Sequence, residues 1–401
     1  LNSLLELYQT GRYVDAEKLS LSITEEFPKH PFAWKVLVAV LKQMGKINES
    51  LVVSQRSVQL NPQDAGAHNN LGVLLQELRR LKEAEVSYRQ AITLKPDDAK
   101  AYNNLGNALK ELDRLDEAGT SLRQAITLKP DFTEAHNNLG ILLQELGRLD
   151  EAEASYRQVI TLKPDYAEAH NNLGIILQEL GRLDEAEISL RQAITLKPGF
   201  AEAHYNLGVI LQELRRLKEA EISYRQAIKL KPAYEEAHNN LGVILQELRR
   251  LKEAEVSYRQ AITLKPDNAK AYYNLGGTLK EQGRLKEAWS AYIQAINLNP
   301  DFTDAYANLG IVIKNVRFNS SNVKLYPLLI LLLSTGNFAR PRDLAPSILS
   351  LLKHDPLIKN LLLEENFATS LKEANSIIGS LDKLTLLHHL MRICPLPDLQ
   401  F

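Results

Sequence analysis

Residues 167–200 read AEAHNNLGIILQELGRLDEAEISLRQAITLKPGF, and this stretch decides the fold. Its apolar residues fall into two sets, each at helical spacing. The first set is Ala169, Leu173, Ile176, Leu177 and Leu180. The second is Leu183, Ala186, Leu190, Ala193, Ile194 and Leu196. Gly181 lies between them and supplies a helix stop, and Pro198 ends the second set. The stretch therefore predicts a helix, a turn and a helix. An Asp precedes a Glu by three in several places, as in Asp131/Glu134 and Asp165/Glu168. That spacing predicts a capping box opening the next helix. Gly174 and Ala186 sit mid-helix, where Gly costs about 1 kcal/mol relative to Ala. Close approach of two helix backbones is the expected reason.

The stretch is one copy of many. Leu-Gly recurs with its Gly at 72, 106, 140, 174, 208, 242, 276 and 310, at intervals of 34. Pro returns at 62, 96, 130, 164, 198, 232, 266 and 300, and Ala at 84, 118, 152, 186, 220, 254 and 288. Residues 201–234 and 235–268 agree at 28 of 34 positions, which tandem duplication explains. One helix pair cannot bury its apolar faces alone, so the units must stack. Eight full units are expected over 31–302, with a partial unit at 1–30 before them and a lone first helix at 303–316 after them. The 31–64 unit diverges, with Val38 at the Gly place and Ser50 and Ser54 at the small and aromatic places.

Leu173-Gly174, Ala186, Leu190 (Tyr156 and Tyr224 in sister units), Ala193 and Pro198 resemble the tetratricopeptide repeat. The resemblance returns in phase through the eight units. It implies an all-α fold, a right-handed superhelical α-solenoid whose first helices line a concave groove of roughly one superhelical turn.

Asn precedes each of these eight Leu-Gly pairs, at Asn70, Asn104, Asn138, Asn172, Asn206, Asn240, Asn274 and Asn308. A carboxamide has an acceptor and two donors, so an evenly spaced ladder can clamp an extended peptide backbone without reading side chains. The ladder resembles that in the repeat region of O-linked N-acetylglucosamine transferase. The alternative is that each Asn bonds a neighbouring backbone group and fixes the stack. One residue earlier stand Asn69, Asn103, Asn137, Asn171, Tyr205, Asn239, Tyr273 and Ala307, a variable set that would tune specificity or drift neutrally. A third set, Gln76, Lys110, Gln144, Gln178, Gln212, Gln246, Lys280 and Lys314, suits a wet groove. His68, His136, His170, His204 and His238 share one place and are expected to pack as aromatics, since a 34-residue repeat keeps them apart. Glu77/Arg80, Glu145/Arg148 and Glu213/Arg216 predict helix-end pairs three residues apart. Arg79-Arg80, Arg215-Arg216 and Arg249-Arg250 make basic turns that complement a helix C-terminus or meet an acidic partner.

Composition narrows the function classes. Of 401 residues, 48 are Lys or Arg and 49 Asp or Glu, so no global basic field exists to hold nucleic acid or an anionic membrane. Cys394 is the single cysteine, which excludes an internal disulfide framework and a multi-cysteine metal site. The most apolar run, Leu325 to Leu333, falls short of the about 20 residues that span a bilayer. No signal peptide, P-loop, dinucleotide fingerprint, H-E-x-x-H or G-x-S-x-G occurs. No cofactor, metal or catalytic residue is expected, and the absent signals point to a cytoplasmic chain, trimmed because it begins at Leu1.

The period ends near Val316. Residues 317–401 predict a Leu-rich all-helical module, with runs near 323–334, 343–353, 357–365, 369–380 and 383–393 and with Pro341, Pro346 and Pro356 at or near helix starts. It would cap the stack, lead to a further domain, or form a homodimer surface through 323–401. His388-His389-Leu-Met-Arg-Ile-Cys-Pro-Leu-Pro-Asp398 resembles the region before the catalytic domain of bacterial repeat-containing methyltransferases. The expected function is a scaffold holding an extended peptide or protein segment on the asparagine ladder. The alternatives are the recruiting arm of a larger methyltransferase or glycosyltransferase, and a self-associating assembly protein.

Overall fold

Each 34-residue unit folds as a 13-residue helix, a tight reversal and a 14-residue helix, as in Thr133–Glu145 followed by Leu149–Leu162. The computed structural model describes residues 2–28, 30–314, 316–317, 326–335, 341–356, 386 and 390. Every element among these residues is helical. The chain divides into two compact units, Leu1–Asn206 and Leu207–Phe401.

The first unit begins with α1 (Asn2–Gln9) and α2 (Tyr13–Glu26). It continues with the pairs α3 (Pro31–Gln43) and α4 (Ile47–Leu60), α5 (Ala65–Glu77) and α6 (Leu81–Leu94), and α7 (Ala99–Glu111) and α8 (Leu115–Leu128). Then come α9 (Thr133–Glu145) and α10 (Leu149–Leu162), and α11 (Ala167–Glu179) and α12 (Leu183–Leu196). The division falls inside α13 (Ala201–Glu213). The second unit holds α14 (Leu217–Leu230), α15 (Glu235–Glu247), α16 (Leu251–Leu264), α17 (Ala269–Glu281), α18 (Leu285–Leu298) and α19 (Thr303–Ile313). It ends with α20 (Tyr326–Thr335) and α21 (Pro341–Leu352).

The reversal inside each pair is a Schellman motif. After α9, the Gly147 N–H bonds Gln144 O and the Arg148 N–H bonds Leu143 O, with Gly147 at φ +69°. The same left-handed place holds Arg79, Asp113, Arg215 and Arg249, at φ of 59° to 61°. A side chain there costs on the order of 1 kcal/mol, so something must offset it.

A side chain lies nearest the repeated mid-helix glycine, and at Gly106 and Gly174 the expected second backbone is there too, with Ala118 O and Ala186 O 3.3 Å from where a Cβ would stand. A Cβ on Gly72 would lie 2.5 Å from the Tyr88 ring, and one on Gly242 2.6 Å from the Tyr258 ring. In two units the occupant is Leu: Leu122 over Gly106 and Leu190 over Gly174. These second-helix residues are wholly buried, and each lies flat on the glycine of its own first helix. The diverged unit inverts the sizes, with Val38 at the glycine place and Ser54 at the aromatic place, both buried.

Two local expectations are corrected. The capping boxes at Asp131/Glu134 and Asp165/Glu168 do not form, because the N-caps of α9 and α11 are Phe132 and Tyr166, one residue later. Lys129 and Lys163 lie over those rings instead. Where Asp64, Asp98 or Asn268 itself stands at the N-cap, its side chain caps the helix. The Glu145/Arg148 pair is also absent. Past the left-handed turn Arg148 belongs to the second helix and bonds Glu151, while Glu145 takes Lys110 of the preceding unit at 2.7 Å.

Second helices of neighbouring units are tied by rings of charge. Glu153 accepts from Arg157 of its own helix and Arg182 of the next unit, and Glu185 bonds Arg182 too. The same rings join Glu85 to Arg89 and Arg114, Glu221 to Arg225 and Arg250, and Glu255 to Arg259 and Arg284. At the lone first helix the stack changes character. α21 packs on α19, with Ser347 Oγ donating to Ile313 O and Arg317 Nη1 donating to Ser347 Oγ at 3.1 Å. Leu329, Leu332 and Leu333 of the apolar run are buried within the chain. Pro346 lies inside α21, not at its start. The expected runs at 357–365, 369–380 and 383–393 lie outside the described residues, but for Leu386 and Leu390. So do His388, His389 and Cys394.

Candidate functional site

The ladder asparagines sit on the first helices at one turn-face, half-buried at all eight places. Their amides reach across to the preceding unit. Asn104 Nδ2 donates to Asn69 Oδ1 at 3.0 Å, Asn138 to Asn103 at 2.9 Å, Asn206 to Asn171 at 2.9 Å and Asn274 to Asn239 at 3.2 Å. Asn308 Nδ2 donates to the Tyr273 hydroxyl at 2.9 Å, and Lys280 Nζ donates to Asn308 Oδ1 at 2.8 Å. The residues expected to tune specificity thus serve as acceptors for the next rung. Asn103, Asn171 and Asn239 are buried for that reason.

The links are not uniform. Asn70 has no such acceptor, because the preceding unit carries Lys35 there, committed to Asp64 at 2.9 Å. Asn171 and Asn239 also donate within their own helices, to Asn172 Oδ1 at 3.2 Å and Asn240 Oδ1 at 3.3 Å. Asn137 Oδ1 is buried without a partner. Tyr205 is half-buried. Tyr273 packs between Phe302 and Tyr292, at 4.8 and 5.8 Å between ring centres, and burial pushes its hydroxyl pKa up. The bonding across units uses one hydrogen of each amide. Among the described residues, Oδ1 of Asn104, Asn138, Asn206 and Asn274 accepts nothing.

A depression of about 710 Å³ opens on this face between α5, α7 and α9. Asn104, Asn138, Asn107, Gln76, Lys110 and Val73 are among the residues lining it. Val73 marks a stripe that the sequence carries but that helical periodicity alone does not single out. Val73, Ile141, Ile175, Val209 and Val243 stand three residues after each ladder Asn, half-buried, so the amides border an apolar strip. Asn107 and Gly277 interrupt it.

The Gln/Lys set forms a second relay along the rim. Gln76, Lys110, Gln144 and Gln246 each reach the glutamate that ends the next first helix. Gln144 Nε2 donates to Glu179 at 3.0 Å and Lys110 Nζ to Glu145 at 2.7 Å, and Lys42 pairs with Glu77. In three of the five units where this residue is Gln, a left-handed arginine adds the cation: Arg79 to Glu111 at 2.6 Å, Arg215 to Glu247 at 3.1 Å and Arg249 to Glu281 at 2.8 Å. The basic turns therefore staple units together. Second-helix tyrosines complete the relay, Tyr88 Oη donating to Gln76 Oε1 at 2.9 Å and Tyr224 Oη to Gln212 Oε1 at 3.0 Å.

The histidines do more than pack. Nε2 of His68, His136, His170, His204 and His238 donates to the carbonyl of the loop proline six residues back, at 2.9–3.2 Å. Trp34 Nε1 makes the same bond to Pro28 at 2.7 Å. Desolvation lowers the His204 pKa, outweighing the Pro198 bond that raises it. No group of three or more metal-capable side chains occurs among the described residues, and none of their helices is long and apolar enough to cross a membrane.

Models of the tetratricopeptide repeat match residues 80–147, 131–199, 201–234 and 250–315, together more than half of the chain. No curated protein matches it. Among solved structures it is similar to the Cut9–Hcn1 hetero-tetramer of the APC/C, with 17% identity over 75% of this chain and 59% of that one, at a TM-score of 0.51. It is also similar to YrrB, described as a TPR protein with an unusual peptide-binding site, with 26% identity over 46% of this chain and 95% of that one, at 0.40. Pseudomonas aeruginosa pilF shows 23% identity over 53% of this chain and 97% of that one, at 0.47.

Proposed function

We propose, for a chain that belongs to the tetratricopeptide-repeat family, that the face of its first helices holds an extended peptide or protein segment. One observation carries the reading: four ladder amides, those of Asn104, Asn138, Asn206 and Asn274, are fixed by one bond to the preceding unit and keep an unused acceptor. An extended backbone offers N–H and C=O groups in alternation. Each of these four rungs can accept from a peptide N–H through Oδ1 and donate to a carbonyl through its second Nδ2 hydrogen. The bond to the preceding unit holds the carboxamide in one orientation, so less side-chain freedom is lost when a ligand arrives. Stacking and clamping are then two uses of one amide. The bordering valine and isoleucine strip supplies apolar contact without demanding a particular sequence.

The test separates the two uses. Replacing Asn104, Asn138, Asn206 and Asn274 by Ala removes both the clamp and the inter-unit bond. Replacing Asn69, Asn103, Asn171 and Asn239 by Ala removes only the bond. With pooled fluorescent 11-residue peptides, the first variant is expected to lose at least tenfold in affinity, taking about 1 kcal/mol for each of several lost bonds. The second is expected to lose much less, and both keep wild-type helicity by circular dichroism. Equal binding by wild type and the first variant would sink the clamp.

A further inference from the structure

The relay along the rim works at five junctions by bringing a cation to the glutamate that ends a first helix. The cation is Lys42 at Glu77, Arg79 at Glu111, Lys110 at Glu145, Arg215 at Glu247 and Arg249 at Glu281. At Glu179 the chain brings none. The donor place holds Gln144, and the turn place that holds arginine elsewhere is Gly147. Arg182, three residues on, is committed to Glu153 and Glu185, and Arg148 to Glu151.

A second observation marks the same spot. Tyr156 is wholly buried and its hydroxyl has no hydrogen-bond partner, although Asn172 lies beside it. In sister units that hydroxyl donates to the glutamine of the relay, as Tyr88 does to Gln76. Here the bond is not made, so Gln144 Oε1 accepts nothing among the described residues. Asn137 Oδ1, one rung below Asn172, is also orphaned in the interior. Buried polar groups without partners are rare in folded proteins and call for an explanation. The junction between α9 and α11 thus holds a carboxylate, Glu179, that no cation of the chain meets and an amide oxygen, Gln144 Oε1, that accepts nothing among the described residues.

We propose that this junction receives a lysine or arginine side chain of the bound segment, with Glu179 as its counter-ion and Gln144 Oε1 as a further acceptor. The inference rests on the peptide reading and adds a preference to it: one basic residue placed at the centre of the first unit's face. An ammonium or guanidinium carries only donors, which matches the two groups assigned to receive it, the Glu179 carboxylate and Gln144 Oε1. The ligand then completes at this junction the ion pair that the chain supplies to itself at the five junctions above.

Three pools of fluorescein-labelled 11-residue peptides test this. Each is randomised over Ser, Thr, Val, Ala and Gln, with the central residue fixed as Arg, Gln or Glu. Anisotropy titrations at low salt use the full chain, its Glu179→Gln variant and its Gly147→Arg variant. The last installs the chain's own cation. The turn accepts it, since a Cβ at Gly147 meets nothing within 4 Å and Arg79, Arg215 and Arg249 already occupy that conformation. The Arg pool is expected to bind wild type about fivefold tighter than the Gln pool, the upper range for an exposed ion pair, and the Glu pool more weakly than either. In both variants the ratio of Arg to Gln pools should fall to about one while Gln-pool affinity is unchanged. Equal Arg and Gln pools on wild type, or a ratio that survives both substitutions, overturns the inference and leaves the peptide reading standing. Failure of every pool to bind wild type overturns both.

Discussion

Gly119 interrupts the rings of charge, and filling it should tighten the stack. Glu85, Glu153, Glu221 and Glu255 each bridge an arginine of their own helix and one of the next unit, and at the equivalent place α8 carries Gly119. Arg123 and Arg148 are left to share Glu151, at 3.1 and 2.5 Å. A Cβ at Gly119 would meet only Leu142 Cδ2 at 3.5 Å, an ordinary contact. Replacing glycine inside a helix with a good helix former gains about 0.5–1 kcal/mol locally. That alone slows amide exchange in α8 about two- to fivefold, if exchange reports local opening. Gly119→Gln carries this propensity gain without charge. Gly119→Glu adds two arginine partners, one of them across the junction. Native-state hydrogen exchange on α8 and α10 is the assay, at 20 mM and 1 M NaCl. Gly119→Glu should exceed Gly119→Gln at low salt in both helices. The excess should vanish at 1 M, where the Debye length is about 3 Å. An excess confined to α8, or one indifferent to salt, would refute the idea that this place ties one unit to the next.

Two further outcomes follow from the packing. Gly242→Ala pushes a methyl group to 2.6 Å from the Tyr258 ring and should destabilise α15 and α16 by about 1–3 kcal/mol in urea unfolding. Adding Tyr258→Ser should restore part of the loss, since Val38 and Ser54 already pair a larger with a smaller residue. His204 keeps its proton less readily folded than unfolded, so its contribution to stability is present above the unfolded pKa near 6.5 and is lost as pH falls through the lower folded value. The protection of α13 amides, referred to the intrinsic exchange rate at each pH, should therefore fall on acidification. His204→Tyr, the residue found at Tyr102 and Tyr272, should flatten that dependence; an unchanged profile would assign it to another group.

The period of 34 carries the helices and their reversals because each depends on residues within a few positions of one another. Gly181 at φ +75° and the Leu-Gly glycines need no distant information to be read. What escapes a linear reading lies across junctions. Asn138 and Asn103 are 35 residues apart, and so are Gln144 and Glu179. Pairing them requires knowing that neighbouring first helices are offset by one residue beyond the repeat. Without that offset Glu145 looks like the partner of Arg148, its nearest cation in sequence, when its partner is Lys110. The capping boxes fail for a smaller reason: Asp131 and Asp165 stand one residue too early, and Phe132 and Tyr166 take the cap. The Val/Ile strip of the candidate site is present at a fixed spacing from each Asn. Its meaning depends on the amides beside it being held in place by the unit before.

The glutamate closing seven successive first helices, from Glu77 to Glu281, stays the same while its donor varies: a lysine on the helix at Glu77 and Glu145, an arginine in the turn at Glu111, Glu247 and Glu281, and a glutamine without a cation at Glu179. Variation is confined to the plug, and the socket is constant. A unit of any of these kinds can then follow a unit of any other without a compensating change in its neighbour. Gene duplication can lengthen or shorten such a chain by whole units, and each new junction arrives already compatible.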